Sequence, residues 1–178
     1  MGTKFFYALI LTVCAIVLQL VLFFTGYQTE KLATGQYFQW LGVVIMAIVL
    51  WLGIKAVRDE KPEREMTYGQ RVGAGTLISL YYGLMSAVYT FVHFTFINTG
   101  FAEYTIAMTR EKWAAAGLTQ AQMEGAEAIT RKMLQPGVQA ILGVVFAVLI
   151  GVILSLIISA LLKGKTPAAS EGARPATA

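Results

Sequence analysis

Long apolar runs alternate with short polar connections along this chain, and the runs have the length of membrane spans. A hydrocarbon layer about 30 Å thick needs about 20 consecutive apolar residues in helical form. Four runs reach that length: residues 5–25, 37–57, 72–98 and 138–162. The first carries no charge. The second has aromatic ends at Tyr37, Phe38 and Trp40, and its one lysine, Lys55, is placed to reach the headgroups at the far end. The third is the most polar. The fourth is long enough to cross with some tilt.

The longest piece outside the runs, residues 99–137, reads as a helical hairpin. One helix runs from Phe101 to Ala116, a turn follows at Gly117-Leu118, and Thr119 with Gln122 opens a second helix as a capping box. Pro136-Gly137 stops that helix before the fourth run. Met123, Ala126, Ile129 and Met133 recur at helical spacing, and Phe101, Tyr104, Met108 and Trp113 nearly so. Each helix therefore has an apolar stripe to set against the other or against the lipid interface. Residues 164–178 are small, polar and proline-bearing, and are expected to be disordered. The expected fold is all-α: a single domain over residues 1–163, an integral membrane four-helix bundle with an external helical hairpin between the third and fourth spans.

Composition agrees with lipid as the main solvent. Of 178 residues 57% are hydrophobic and 13% charged, against about a quarter charged in soluble domains. The single cysteine, Cys14, excludes an internal disulfide and a cysteine zinc site. The net charge of +4 lies beside the apolar runs without forming a basic stripe, which argues against nucleic acid as a partner. The first run is longer than a signal-peptide core and no small-x-small cleavage site follows it, so it is read as a retained span. Lys4, Lys55, Arg58, Lys61, Arg64, Arg71, Lys163, Lys165 and Arg174 fall on the side of both termini, nine against the five of Lys31, Arg110, Lys112, Arg131 and Lys132. The positive-inside bias then puts both termini in the cytoplasm.

Polar residues inside the runs carry the candidate chemistry. Gly75, Ser79, Tyr82, Ser86, Tyr89, His93 and Phe96 alternate steps of four and three, which places them on one helix face. In lipid such a face turns toward protein or a water-filled cavity. In the fourth run Gln135, Gln139, Gly143, Ala147, Gly151, Ser155 and Ser159 step by four, a ridge of small residues that lets another backbone approach closely. Either the tyrosines of the third run pack into this ridge or the ridge pairs two copies of the protein. His93 is the only histidine, so a bis-histidine haem is excluded, and histidine–methionine ligation would call on the distant Met85 or Met108. A hydrogen-bonded interfacial histidine fits better.

Signatures of catalysis are missing from the sequence, which has no HExxH, CxxC, GxSxG or P-loop, and no dinucleotide fingerprint at residues 73–75. The span cores carry no carboxylate of the kind that couples transport to protons or cations. No metal or cofactor is expected. The first functional reading is a non-enzymatic structural or accessory membrane protein, working through helix packing and its hairpin, with the bilayer and a homo-oligomer or another membrane protein as partners. The alternative is a bundle that binds a lipid, quinone or haem against Tyr82, Tyr89 and His93. A transporter or channel subunit is a further alternative and would need oligomerisation to form a path.

The segments GIKAVRDE (53–60), TYGQRVGAG (67–75), EKWAAAGLTQAQMEGAEAITRKM (111–133), Pro136 and SLIISALLK (155–163), in this order and spacing, resemble the bacterial membrane proteins grouped as domain-of-unknown-function family 4199. The resemblance covers roughly residues 5–163. It implies four spans with an external helical insert between the third and fourth, and it implies no activity, so no catalytic residue is carried over. The connection with Asp59, Glu60, Glu63 and Glu65 is more acidic than the glycine-rich link of the family.

Overall fold

The computed structural model describes residues 2–61 and 66–162, and every regular element in them is helical. In chain order these are α1 (Thr3–Phe24), α2 (Leu32–Asp59), α3 (Tyr68–Val92), a π-helical turn (His93–Ile97) that prolongs α3, α4 (Phe101–Ala115), α5 (Gln120–Met133) and α6 (Pro136–Leu161). The expected disordered tail, and Glu63, Arg64, Glu65, Lys163, Lys165 and Arg174 in the loops and tail, lie outside the described residues. Helices α1, α2, α6, and α3 with its π-turn, are each long and apolar enough to cross a membrane. At 1.5 Å per residue, the 22 residues of α1 already reach about 33 Å.

The helix ends follow local chemistry that hydropathy does not register. Helix α3 starts at Tyr68, before the apolar run, because Thr67 and Gln70 form a capping box. The Gln70 N–H donates to the Thr67 hydroxyl at 3.3 Å and the Thr67 N–H to Gln70 Oε1 at 3.2 Å. Thr119 and Gln122 open α5 in the same way, at 3.4 and 2.9 Å. Pro136 stands in the first turn of α6, where its missing N–H costs nothing.

Helix α3 packs on each of the other long helices, most extensively on α6. Helix α2 also touches all three, whereas α1 and α6 make at most a marginal contact and so flank the α2–α3 pair. Leu11, Leu50, Ile54 and Ile78 are fully buried at the centre, with Ala8, Met46, Val49 and Ile158 around them. On α6, Ile141, Val145, Leu149, Ile153 and Ile157 are exposed at steps of four. Such a stripe suits contact with lipid tails.

The α3–α6 contact sets small residues on small residues. A Cβ on Gly75 would lie 2.8 Å from Ser155 Cβ, one on Gly151 would overlap Ser79, and one on Gly83 would sit 3.4 Å from Ala147 Cβ and 3.3 Å from the Val144 backbone. Positions 75, 79 and 83 thus meet 155, 151 and 147 in antiparallel order. Ser79 and Ser155 have no exposure, and each hydroxyl donates to the carbonyl one turn back, Gly75 O at 2.9 Å and Gly151 O at 2.6 Å. With their hydroxyls bonded within their own helices, these serines meet the opposite glycines without needing partners across the interface. At these positions the ridge meets small residues of α3 and not its tyrosines. A heptad drifts by about 20° on a straight helix, so the lower part of the seam faces α6 and the upper part turns toward α1 and the α1–α2 connection. Gly143 also departs from the expected ridge: it is exposed, with nothing within 4 Å of a Cβ placed there.

Candidate functional site

The upper end of α3 gathers most of the polar chemistry of the spans. The α-helix gives way at His93 to a wide turn, closed by Asn98 N–H donating to the His93 carbonyl at 2.7 Å. An i→i+5 turn changes the facing of the residues inside it, and such turns collect at functional positions. Phe96, next in the heptad, is accordingly 72% exposed, while His93 is fully buried.

Opposite His93 lies the α1–α2 connection. Gly26 takes a left-handed φ of 82°, a conformation that glycine adopts without steric cost, and ends α1. The Tyr27 carbonyl then presses on the face of α2 at Gly35, leaving no room for a side chain there. Lys31 Nζ stands 5.7 Å from the centre of the Tyr27 ring. Gln28 is held through its backbone: its N–H donates to Leu22 O at 3.2 Å, and its carbonyl accepts from Asn98 Nδ2 at 3.3 Å.

Gln28 Oε1 then lies 2.9 Å from His93 Nε2, and the Tyr89 hydroxyl 3.1 Å from His93 Nδ1. An amide oxygen only accepts, so the network assigns the imidazole proton to Nε2 and leaves Nδ1 to accept from Tyr89. Both ring nitrogens are thereby used. Phe23 meets the ring edge-on at 5.7 Å, and Phe94 stacks on Phe101 of α4 at 4.5 Å. His93 fastens the first connection to the third span.

Beside this clamp is a cleft of about 300 Å³ where α1, α2, α3 and α6 meet the start of α4. Four glutamines reach it, Gln19 from α1, Gln28, Gln39 from α2 and Gln139 from α6, together with Tyr82 of α3. Its remaining walls include Leu18, Leu22, Leu32, Phe94 and Phe101.

The residues singled out in the sequence therefore fall into separate groups. Tyr89 and His93 come together and reach the cleft only through Gln28. Tyr82 lines the cleft itself. Gly75, Ser79, Ala147, Gly151 and Ser155 meet in the α3–α6 contact, Ser159 is fully buried further along α6, and Ser86 is half-buried on α3. Gly143 joins none of them. Sequence reasoning missed Gln19, Gln28, Gln39 and Asn98. The available signal was an amide inside or beside an apolar run, the same signal that drew attention to the third span.

The hairpin is fastened by charge. Arg131 of α5 donates to both carboxylate oxygens of Glu103 on α4, at 2.6 and 3.0 Å, and to Glu127 at 3.0 Å. Arg110 pairs with Glu127 at 3.2 Å. The hydrogen bonds from Arg131 hold the Glu103 carboxyl below its ordinary pKa, and the two carboxylates raise that of the Arg131 guanidinium. Exposed pairs of this kind fix geometry more than they add stability. Among the described residues no three His, Cys, Asp or Glu side chains gather as a metal site would require.

A family model described as "Protein of unknown function (DUF4199)" matches residues 6–164. No curated protein matches the chain, and no solved structure does.

Proposed function

This chain belongs to DUF4199, a family of unknown function, and we propose that it serves as a structural or accessory membrane protein, acting through rigid helix packing and the α4–α5 hairpin. The observation that carries this reading is the His93 clamp. The one imidazole in the chain is fully buried, and each ring nitrogen is engaged by a neighbouring side chain. A metal or haem ligand would need one nitrogen free, and a proton relay would need a group at each nitrogen that gives or takes up a proton, which the Gln28 amide does not do. The buried hydroxyls of Ser79 on α3 and Ser155 on α6 are likewise bonded inside their own helices, which suits a scaffold.

What the scaffold displays is the hairpin. Ile129 and Met133, one turn apart on α5, are 63% and 52% exposed. This apolar face is the docking surface of the proposal, for another membrane protein. A photoreactive phenylalanine at Ile129 is expected to give one discrete protein adduct in native membranes, and the same probe at Gln120, on the polar side of α5, none. Adducts to lipid alone, or equal labelling from both positions, contradict the accessory role.

Orientation in a bacterial inner membrane follows the nine-to-five bias of basic residues, with both termini cytoplasmic. Reporter fusions at Glu60 should therefore read cytoplasmic and at Gly117 external. A cytoplasmic reading at Gly117 overturns this orientation.

A further inference from the structure

We propose that the glutamine-lined cleft is a binding site for the neutral, hydroxyl-bearing headgroup of an amphiphile, either glycerol or sugar. Gln19, Gln39 and Gln139 come from three different helices and take no part in the side-chain hydrogen bonds among the described residues, yet all three reach the same space. An amide in an apolar span is costly unless it meets a partner. Three that converge without pairing with each other provide a set of donors and acceptors for something between them.

The chemistry of the walls selects the class of ligand. No Asp, Glu, Lys or Arg lines the cleft, so a phosphate or ammonium headgroup would be desolvated there without a counter-charge. A side-chain amide both donates and accepts, and so does a hydroxyl. A quinone, which only accepts, would leave the amide oxygens without donors. Size selects further. About 300 Å³ lies at the bottom of the range of small-ligand pockets, about 300–1,000 Å³: room for a headgroup and its first methylenes, not for acyl chains. Leu18, Leu22 and Leu32 supply an apolar wall for those methylenes, and the exposed Gln39 marks where the cleft reaches the surface of α2. The chains then remain in the bilayer.

The test uses the full chain in phosphatidylcholine nanodiscs, titrated separately with dioctanoylglycerol, a dioctanoyl glucosylglycerol, dioctanoyl phosphatidic acid and a short-chain quinone. Thermal stability is expected to rise saturably with one or both neutral hydroxyl probes, and the stronger response identifies glycerol or sugar as the headgroup. In the Gln19→Leu/Gln139→Leu double variant that response should need at least about tenfold more ligand, the effect of losing about 1.4 kcal/mol of binding. Gln39→Leu alone should weaken it less. Leucine is at home in a lipid-exposed helix, so the variants are expected to fold, and an unchanged unliganded melting curve checks this. A response to phosphatidic acid or quinone equal to that of the hydroxyl probes, equal responses of wild type and double variant, or no response to any probe overturns the site.

Discussion

Gly151→Leu is expected to drive α3 and α6 apart and to cause a large loss of stability. Ser79 already occupies the place of a Cβ on Gly151, and Met46 Cε lies 3.0 Å from it, so a leucine must displace a helix rather than a side chain. Overpacking of this kind costs about 1–3 kcal/mol and occasionally more. The upper end applies here, because Ser79 is itself fully buried. Gly75→Leu should behave alike, since its Cβ would meet both Ser155 and, at 2.9 Å, Ile54 Cδ1. Gly143→Leu is the control. It belongs to the same step-of-four series, but it faces open space and should stay within about 0.5 kcal/mol of wild type. Unfolding in detergent or bicelles measures all three. Equal losses at 143 and 151 would mean that the whole series forms an interface, with α6 pairing to a second copy.

His93→Leu is expected to rank next, through a different mechanism. It leaves the Gln28 amide oxygen and the Tyr89 hydroxyl without the partners they have at 2.9 and 3.1 Å. An orphaned buried polar group costs about 1–3 kcal/mol, whereas intramembrane hydrogen bonds average only about 0.6 kcal/mol because the unfolded chain in lipid finds other partners. Loss of the whole clamp should therefore cost about 2 kcal/mol. Tyr89→Phe, which keeps the ring and loses one bond, should cost about 0.6 kcal/mol. Gln28→Leu together with His93→Leu should cost clearly less than the two single changes added, since each removes the same contact. Additive losses would show that the two residues contribute separately and do not form a clamp.

The spans were legible because lipid demands long apolar runs and little else satisfies that demand. The starts of α2 and α3 were not: LATGQ and TYGQ are too polar for a hydropathy argument, although the Thr67–Gln70 spacing is the same capping signature that was recognised at Thr119–Gln122. The ridge on α6 could be seen, but its partner could not. Gly75, Ser79 and Gly83 step by four through a region where a heptad of bulkier residues reads just as well, and only the drift of a straight helix decides which set faces α6. Nor does a step of four reveal where two helices part, which is why Gly143 looked like its neighbours. The His93 clamp joins residues 65 positions apart and depends on a π-turn that leaves no mark in composition. The cleft was hidden for a related reason. Its glutamines come singly, one per element, and only the packing brings them together.

His93 is a fastening within the fold, and its ring nitrogens report on that directly. Because the chain has one histidine, ¹⁵N-histidine labelling of the protein in bilayers gives a single pair of ring signals. The structure predicts one tautomer, with Nε2 protonated and hydrogen-bonded to Gln28, Nδ1 unprotonated, and the Nε2 signal shifted by Gln28→Leu. A mixture of tautomers, a ring indifferent to Gln28→Leu, or ring signals shifted or broadened by a bound haem or metal would contradict it.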